Sequence, residues 1–445
     1  MEVCSRSRNS TQETRASGIM KFIMAPYRLV LLLFAFRLIA NAQVPQPPSL
    51  PLTQTVSISQ FGAKGDGKTD DTKAFIAAIT TAAKTSSRLQ LGNNTYLLTA
   101  ALRMPATSQP ISITGGEGTK LVFAPGTSLD NGIIIENNSG VELKSFTIHG
   151  SGANLNHAIN IYGSTNVVLD HLQIEGIHGT GDQSGIFLGN DDKVWITNNK
   201  FIDVGAGPGK GSTIIWNYFK KRSQHIYIDH NVMSGNTTNI AIAMFDTDHD
   251  VISNNTIDGG NICVQPCNNN GYGVLFYRTA VQPGFTADTP ITLWPTPIDE
   301  SIIGNHITNT AGSGIYLQGV HGGKVIKNTI THSSLQMDDS SLPAAGIALN
   351  WAQDIQILDN IIQSDGRGGI CLATTKDIVI EGNQIHDAPK WGIHLRVRQV
   401  RTTIKNNTID GAPIGVLMEH DASDTKLEHN IQTRVNRPMM EVPPH

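Results

Sequence analysis

Acids, bases and cations gather in short runs between residues 217 and 351. Asn217-Tyr218-Phe219-Lys220-Lys221-Arg222 is followed by Phe245-Asp246-Thr247-Asp248-His249-Asp250, then Tyr277-Arg278, then Gln318 with His321, then Asn350-Trp351. A cation such as Lys220, Lys221 or Arg278 can neutralise a substrate carboxylate and so acidify the carbon beside it. A base such as His249 or Tyr277 can then remove that proton while a second group protonates a leaving oxygen. Two carboxyls suit glycosidic hydrolysis instead, at roughly 5–5.5 Å for retention or 6.5–9.5 Å for inversion. Asp246 and Asp248, at i and i+2 of an extended chain, put their Cα atoms about 6.6 Å apart. The catalytic candidates are Asp246, Asp248, His249, Arg278 and Lys220. Tyr218, Lys221, Tyr277, Gln318, His321 and Asn350 are candidate binding residues, and Trp294 and Trp351 can stack on flat sugar rings. Each Asp or His here is also an ordinary turn residue, and Lys220-Lys221-Arg222 is equally a solvated corner.

What must position these residues is a repeat. Gly-Ile-x-Leu returns at Gly346, Gly369 and Gly392, with Gly415-Val416-Leu417-Met418 as a looser copy, a spacing of 23 residues each time. Between the copies stands apolar-x-x-Asn-x-apolar, centred on Asn360, Asn383 and Asn407 and ending in Leu427…Asn430. Each unit holds two short alternating segments and has no room for a helix beside them, so the expected fold is all-β: a parallel β-solenoid of stacked coils. Upstream, the same phrases run through Ala158, Gly185, Thr213, Asn239, Gly273 and Gly314, with Asn199, Asn231, Asn255, Asn305 and Asn328. The stacked Asn reads as an internal hydrogen-bond ladder, with Phe146 and Leu172 in its place in the first coils.

The ends are a different material. Lys21 and Arg28 precede an apolar run from Leu29 to Phe36, and Ala40-Asn41-Ala42 is a small-x-small cleavage site. Residues 1–42 therefore read as a signal peptide (with Met20 or Met24 as alternative starts), which implies a secreted or periplasmic protein with no membrane anchor after cleavage. Residues 43–56 read as a Pro-rich linker, 57–435 as the solenoid and 436–445 as a tail. Removing residues 1–42 takes six of the 33 Lys/Arg and two of the 37 Asp/Glu and leaves 27 against 35. Such an acidic chain carries no nucleic-acid footprint. Cys263 and Cys267 can close a small disulfide loop, and Cys371 falls in a Gly-Ile-x-Leu strand as a small packed side chain.

Phe61-Gly62-Ala63-Lys64-Gly65-Asp66-Gly67-Lys68-Thr69-Asp70-Asp71-Thr72-Lys73-Ala74-Phe75 reads physically as a Gly-rich turn, an N-cap at Thr69 or Asp70, and an amphipathic helix to about Ala83 that covers the open end of the first coil. The phrase resembles the N-terminal signature of the pectate-lyase-like superfamily of right-handed parallel β-helix proteins. The resemblance covers roughly residues 57–432 and is specific for the fold rather than the reaction. Asp66, Asp70 and Asp71 read as turn and cap residues rather than metal ligands.

The repeat is broken where the chemistry sits. Spacing swells upstream of Gly346, and the largest insertions (260–272, 279–297 and 333–345) fall beside the Gly-Ile-x-Leu strands. The resemblance implies a groove there for an acidic polysaccharide, a pectin- or alginate-like polyuronate, with Ca²⁺ a candidate helper. Lyase-type β-elimination is the first expectation, and an Asp-pair glycoside hydrolase, a uronan C5-epimerase and a non-catalytic carbohydrate-binding surface protein are its alternatives. Phe245 to Asp250 is similar to the Asp-Pro-His region of mannuronan epimerases but has no proline and one extra residue, with Ala243 near the place of a catalytic tyrosine. The polygalacturonase motifs do not occur in order; Asn190-Asp191-Asp192 and His321 are isolated echoes. His394, Arg396, Arg398 and Arg401 form a basic patch in the regular zone, read as surface.

Overall fold

The computed structural model describes residues 44–442 except 107–108, 151, 206–211, 219–220, 236–238, 260–270, 279–297, 337–342, 364–365 and 420–421. The chain winds as a parallel β-helix in which every coil contributes to three stacks of strands. The Gly-Ile-x-Leu strands form the first stack, for example Gln183–Gly189, Ser212–Asn217, Ile240–Phe245, Tyr272–Tyr277, Ile315–Gln318 and Ile347–Asn350. The strands before each Asn form the second, and those after it the third, such as Thr329–Thr331 and Ile361–Gln363. The first two stacks join into one 25-stranded sheet because Gly368–Glu381 and Trp391–Lys405 run round the corner; the third is a 14-stranded sheet.

Strand alternation explains the phrase. Ile and Leu of Gly-Ile-x-Leu point into the bore, where Ile315, Leu317, Ile347, Leu349, Ile370 and Leu372 are at most 1 % exposed. The Gly makes room for an isoleucine of its own coil. A Cβ on Gly369 would lie 2.6 Å from Ile385 Cγ2, and on Gly392 2.6 Å from Ile409 Cγ2. The two sequence phrases are thus two sides of one packing contact.

The Asn turns the chain between the second and third stacks. The residue before it is left-handed at almost every rung: Asn198, His230, Asn254, Lys327, Asp359, Asn406 and His429 have φ of 51–56°. Each Asn Oδ1 accepts from the backbone N–H and the side-chain amide of the Asn one coil back, at 2.9–3.0 Å, from Asn199 through Asn231, Asn255, Asn305, Asn328, Asn360, Asn383 and Asn407 to Asn430. Phe146 and Leu172 fill the equivalent place at 3 % and 1 % exposure. The ladder therefore pairs buried amides that would otherwise each cost about 1–3 kcal/mol.

The helix Thr72–Lys84 covers the first coil with Phe75, Ala78, Ile79, Ala82 and Ala83. Its N-cap is Asp71, one residue later than expected, and that carboxylate accepts instead from the N–H groups of Lys64 and Gly65. Asp66 accepts from Lys68 and Thr69, and Asp70 from Thr72 and Thr99, so all three acids brace the turn.

Both domain boundaries shift. Gln54–Ser57 is already a strand, paired with Ser87–Gln90. Ahead of it, Val44 packs on an outward apolar row of the second stack, Val168, Trp195, Tyr227 and Val251, and Trp195 Nε1 donates to the Pro45 carbonyl at 2.7 Å. That row needs a cover, so the Pro-rich segment is a docked strap rather than a loose linker. At the other end Arg437–Val442 pairs with Ile414–Glu419, which satisfies an edge that would otherwise stay open.

Candidate functional site

The first stack presents two outward rows. The x positions of Gly-Ile-x-Leu align as Asn160, Phe187, Trp216, Ala243, Leu275, Tyr316, Ala348, Cys371 and His394. Two residues on, Phe245, Tyr277, Gln318, Asn350, Ala373 and Arg396 align on successive coils. Tyr218 falls opposite Phe245, because the preceding Asn217 pairs with Met244. Tyr218, Tyr277, Gln318 and Asn350 thus share one row, with neighbours roughly 4.8 Å apart.

Just past this row the chain turns, and Asp246 and Arg278 are the first turn residues of adjacent coils. Asp246 N–H donates to the Tyr277 carbonyl and Arg278 N–H to the Gln318 carbonyl, each at 3.1 Å. Arg278 is 3 % exposed. Burial lowers its pKa, and the negative charge of Asp246 opposes that shift. Trp351, left-handed at φ 55°, stands in the same turn column further along.

The other predicted residues lie beyond the corner. Asp248 is 1 % exposed, bridges to Gln224 and Ile298 on the second stack and is ion-paired with Arg222. Burial raises its pKa, and Arg222 offsets part of that. His249 is exposed on the second stack's outer face, its ring stacked on His225 at 5.5 Å and its Nδ1 3.7 Å from Asp299. His321 also opens a second-stack strand and meets Asp354 at 3.1 Å. Asp248 and His249 are therefore not brought to the row that holds Tyr277, and Asp246 and Asp248 do not form an open carboxyl pair. The reason is local: left-handed turns at Asp246 and at His249 bend the chain twice within four residues. Lys221 returns to the first stack, its ammonium 5.5 Å above the Tyr162 ring. Lys220, Trp294, Cys263 and Cys267 lie outside the described residues.

Buried acids line this corner. Asp191 accepts from the N–H groups of Ser164 and Gly189, and its own N–H donates to Ser223 Oγ, a second short ladder. Burial pushes its pKa up to about 7. Asp250 and Glu300 are both buried; burial raises both well above the carboxylate range, and the charge of Asp248 adds to the rise at Asp250 as that of Asp250 adds to the rise at Glu300. Glu300 accepts from Asp250 N–H at 3.0 Å and Asp250 from Ile226 N–H at 2.8 Å. Among the described residues no group of three or more His, Cys, Asp or Glu converges as a metal site.

Sequence reasoning passed over the x row. His157 stacks on Phe187 at 4.5 Å, Phe187 meets Trp216 edge-on at 5.1 Å, and Tyr218 lies 5.4 and 5.7 Å from Phe187 and Trp216. Tyr272 and Tyr316 stack at 5.1 Å, both nearly fully buried, and the Tyr316 O–H donates to Gln318 at 2.7 Å. An aromatic at x, where the rest of the phrase faces inward, was the available signal. Cys371 belongs to this outer face too, buried beside Ala348 and Trp391, with its thiol pushed up to about 12 by burial. In the basic patch His394 Nε2 lies 3.5 Å from the buried Glu419, and Arg401 pairs with Asp377.

Two family models match: "Right handed beta helix region" over residues 296–436 and "Rhamnogalacturonase A/epimerase, pectate lyase-like" over 55–276. The fold is similar to a mannuronan C-5 epimerase A-module of Azotobacter vinelandii, at 17 % identity and a TM-score of 0.58 over 88 % of this chain and 99 % of that one. It is similar also to PfbA, a surface adhesin of Streptococcus pneumoniae, at 15 % identity and a TM-score of 0.55 over 86 % and 93 %. A tailspike protein of bacteriophage CBA120 matches at 15 % identity and a TM-score of 0.51, over 86 % of this chain and 61 % of the phage protein. A non-secreted LysM effector of Penicillium expansum is 31 % identical over 87 residues, 20 % of this chain, and the chain spans only 7 % of that relative's length. With the N-terminal signature, the Asn-laddered coils and both family models in agreement, the chain belongs to the pectate-lyase-like superfamily of right-handed parallel β-helix proteins.

Proposed function

We propose that this chain is a secreted protein that binds a polyuronate along the outward rows of the first stack and cleaves it by β-elimination at the coils of Asp246 and Arg278. The observation that carries the reading is the juxtaposition of Asp246 and Arg278 on adjacent coils, beside the row Tyr218, Phe245, Tyr277, Gln318 and Asn350. Arg278 meets the carboxylate of the uronate and takes up the charge that develops when the C5 proton leaves. A guanidinium drawn into low dielectric is most effective there. The Asp246 carboxylate accepts the C5 proton, the C4–O bond breaks as the C4–C5 double bond forms, and the Tyr277 phenol gives its proton to the departing oxygen. Solvent then restores both groups. Gln318 and Asn350 hold neighbouring sugars by hydrogen bonds.

The burial of Asp248 and its pairing with Arg222 favour this reading over hydrolysis, which needs a second open carboxyl. The test is incubation of the mature protein with pectate, alginate and glycosaminoglycans, following ultraviolet absorbance of unsaturated ends together with reducing ends. Both signals rising together is the expected result. Reducing ends without absorbance would overturn it in favour of hydrolysis, and an altered polymer NMR spectrum with neither signal would favour epimerisation.

A further inference from the structure

The first stack is not uniform along its length. From His157 to Tyr218 the outward face carries partly exposed aromatic rings packed on one another: His157 on Phe187, Phe187 against Trp216, and Tyr218 against both. The flanking outward positions on these coils are uncharged: Asn131, Ser184 and Thr213 align with His157, and Asn160 aligns with Phe187. Burial holds His157 down to about 4, so its ring is neutral at pH 7. Rings on an outer surface cost hydration unless something covers them.

Three polar atoms on these coils and the one before them complete the picture. Trp216 Nε1 is buried and finds no acceptor among the described residues, and Asn160 Oδ1 and Asn131 Oδ1 are buried and find no donor there. A satisfied native surface leaves few such atoms. Flat rings bordered by one donor and two acceptors that lack partners match a molecule with an apolar C–H face and a rim of hydroxyls. An uncharged pyranose has both. A carboxylate-bearing sugar fits the rings themselves less well, because the aligned outward residues are uncharged and Lys221, which reaches this face, is engaged over the Tyr162 ring.

We propose that the coils of His157, Phe187, Trp216 and Tyr218 form a binding subsite for a neutral hexopyranose, so that the ligand is a heteropolysaccharide in which neutral sugars neighbour uronic acids. The acidic half of this statement rests on the proposed role of Arg278; the neutral half stands on the aromatic face alone. Trp216 is two coils from the Leu275 coil that carries Arg278, about 10 Å at strand spacing, so the neutral unit sits a few sugars from the reacting one.

The experiment is calorimetric titration of the mature chain with neutral mannohexaose and galactohexaose and, separately, with oligogalacturonate and oligomannuronate. Near-ultraviolet circular dichroism checks that every variant is folded. The expected result is that at least one neutral oligosaccharide binds, that Trp216→Ala weakens it at least tenfold, and that Arg278→Ala leaves it unchanged while weakening the uronates. Trp216→Phe keeps a ring and drops the N–H, and so gives an intermediate loss if Trp216→Ala fails to fold. Neutral oligosaccharides that do not bind, or that bind Trp216→Ala and Trp216→Phe as tightly as the native chain, would overturn the subsite and leave the Arg278 reading standing. Uronates indifferent to Arg278→Ala, with neutral binding intact, would overturn that reading and leave the subsite.

Discussion

The coils from Ser212 to Gln318 and the shaft from Gly346 to Asn430 share one interior and differ outside it. In both, Ile and Leu fill the bore and Asn hands its amide to the next coil. Outside, the first region carries Trp216, Tyr316, Tyr218 and Tyr277 on its strands and Asp246 and Arg278 at its turns, whereas the shaft carries Ala348, Cys371 and Ala373 before its basic patch. The comparison teaches that stability and function are written in alternate residues of the same strands. Inward positions are nearly constant along the rod, so outward positions and turns can change without disturbing the bore.

If that separation holds, changes at outward sites should alter activity and changes at ladder sites should alter stability. Arg278→Ala is expected to have the largest effect, a fall in kcat/KM of about 10²–10³ on the cleaved polymer, as for loss of one preorganised charge-stabilising group. A folded variant with full activity would break the comparison. Asn383→Ala leaves the Asn360 N–H without its acceptor and should cost about 1–3 kcal/mol in urea unfolding, with turnover per folded molecule unchanged.

A subtler effect is expected at Asp191. Its pKa in the fold is about 7 against an ordinary 3.8, so between those values the folded chain holds a proton that the unfolded chain has lost. Stability from this group is thus present at low pH, falls as pH rises through that window and is flat above it. Asp191→Asn removes the contribution, so the difference in melting midpoint, native minus variant, should decline from pH 4 to pH 7. An unchanged difference would refute the assignment. The smallest effect is expected on the shaft: Arg396→Ala, at a half-buried position away from the Asp246 and Arg278 coils, should alter kcat/KM within about fivefold. A larger loss would extend the functional face down the rod.

The fold was legible because the 23-residue spacing and two short phrases each answer a packing need: Gly369 gives way to Ile385, and Asn383 pairs the turn. The row Tyr218, Tyr277, Gln318 and Asn350 was legible for the same reason, since equal offsets from a repeated phrase align on neighbouring coils. What was not legible depended on turn geometry. Asp246, Asp248 and His249 are close in sequence, yet left-handed residues send Asp248 into the corner and His249 onto another face. Phe187 and Trp216 hid inside a phrase read as core, and the strap at Val44 and Pro45 was masked by its own proline content, which suggests disorder until an apolar row is there to receive it.

The asparagine ladder makes rod length a free variable. Every rung accepts from the same two groups and donates the same way, so no rung in the shaft recognises its own number. Excising residues 369–391, one full period, brings Asn360 to Asn407 and Ile362 to Ile409, partners of the same kind as those removed. The rod is then shorter by one strand spacing, about 4.8 Å, with its groove untouched. A solenoid built this way behaves as a spacer whose reach is counted in whole coils, and distance from the groove to the end of the molecule can be reset without altering what the groove does.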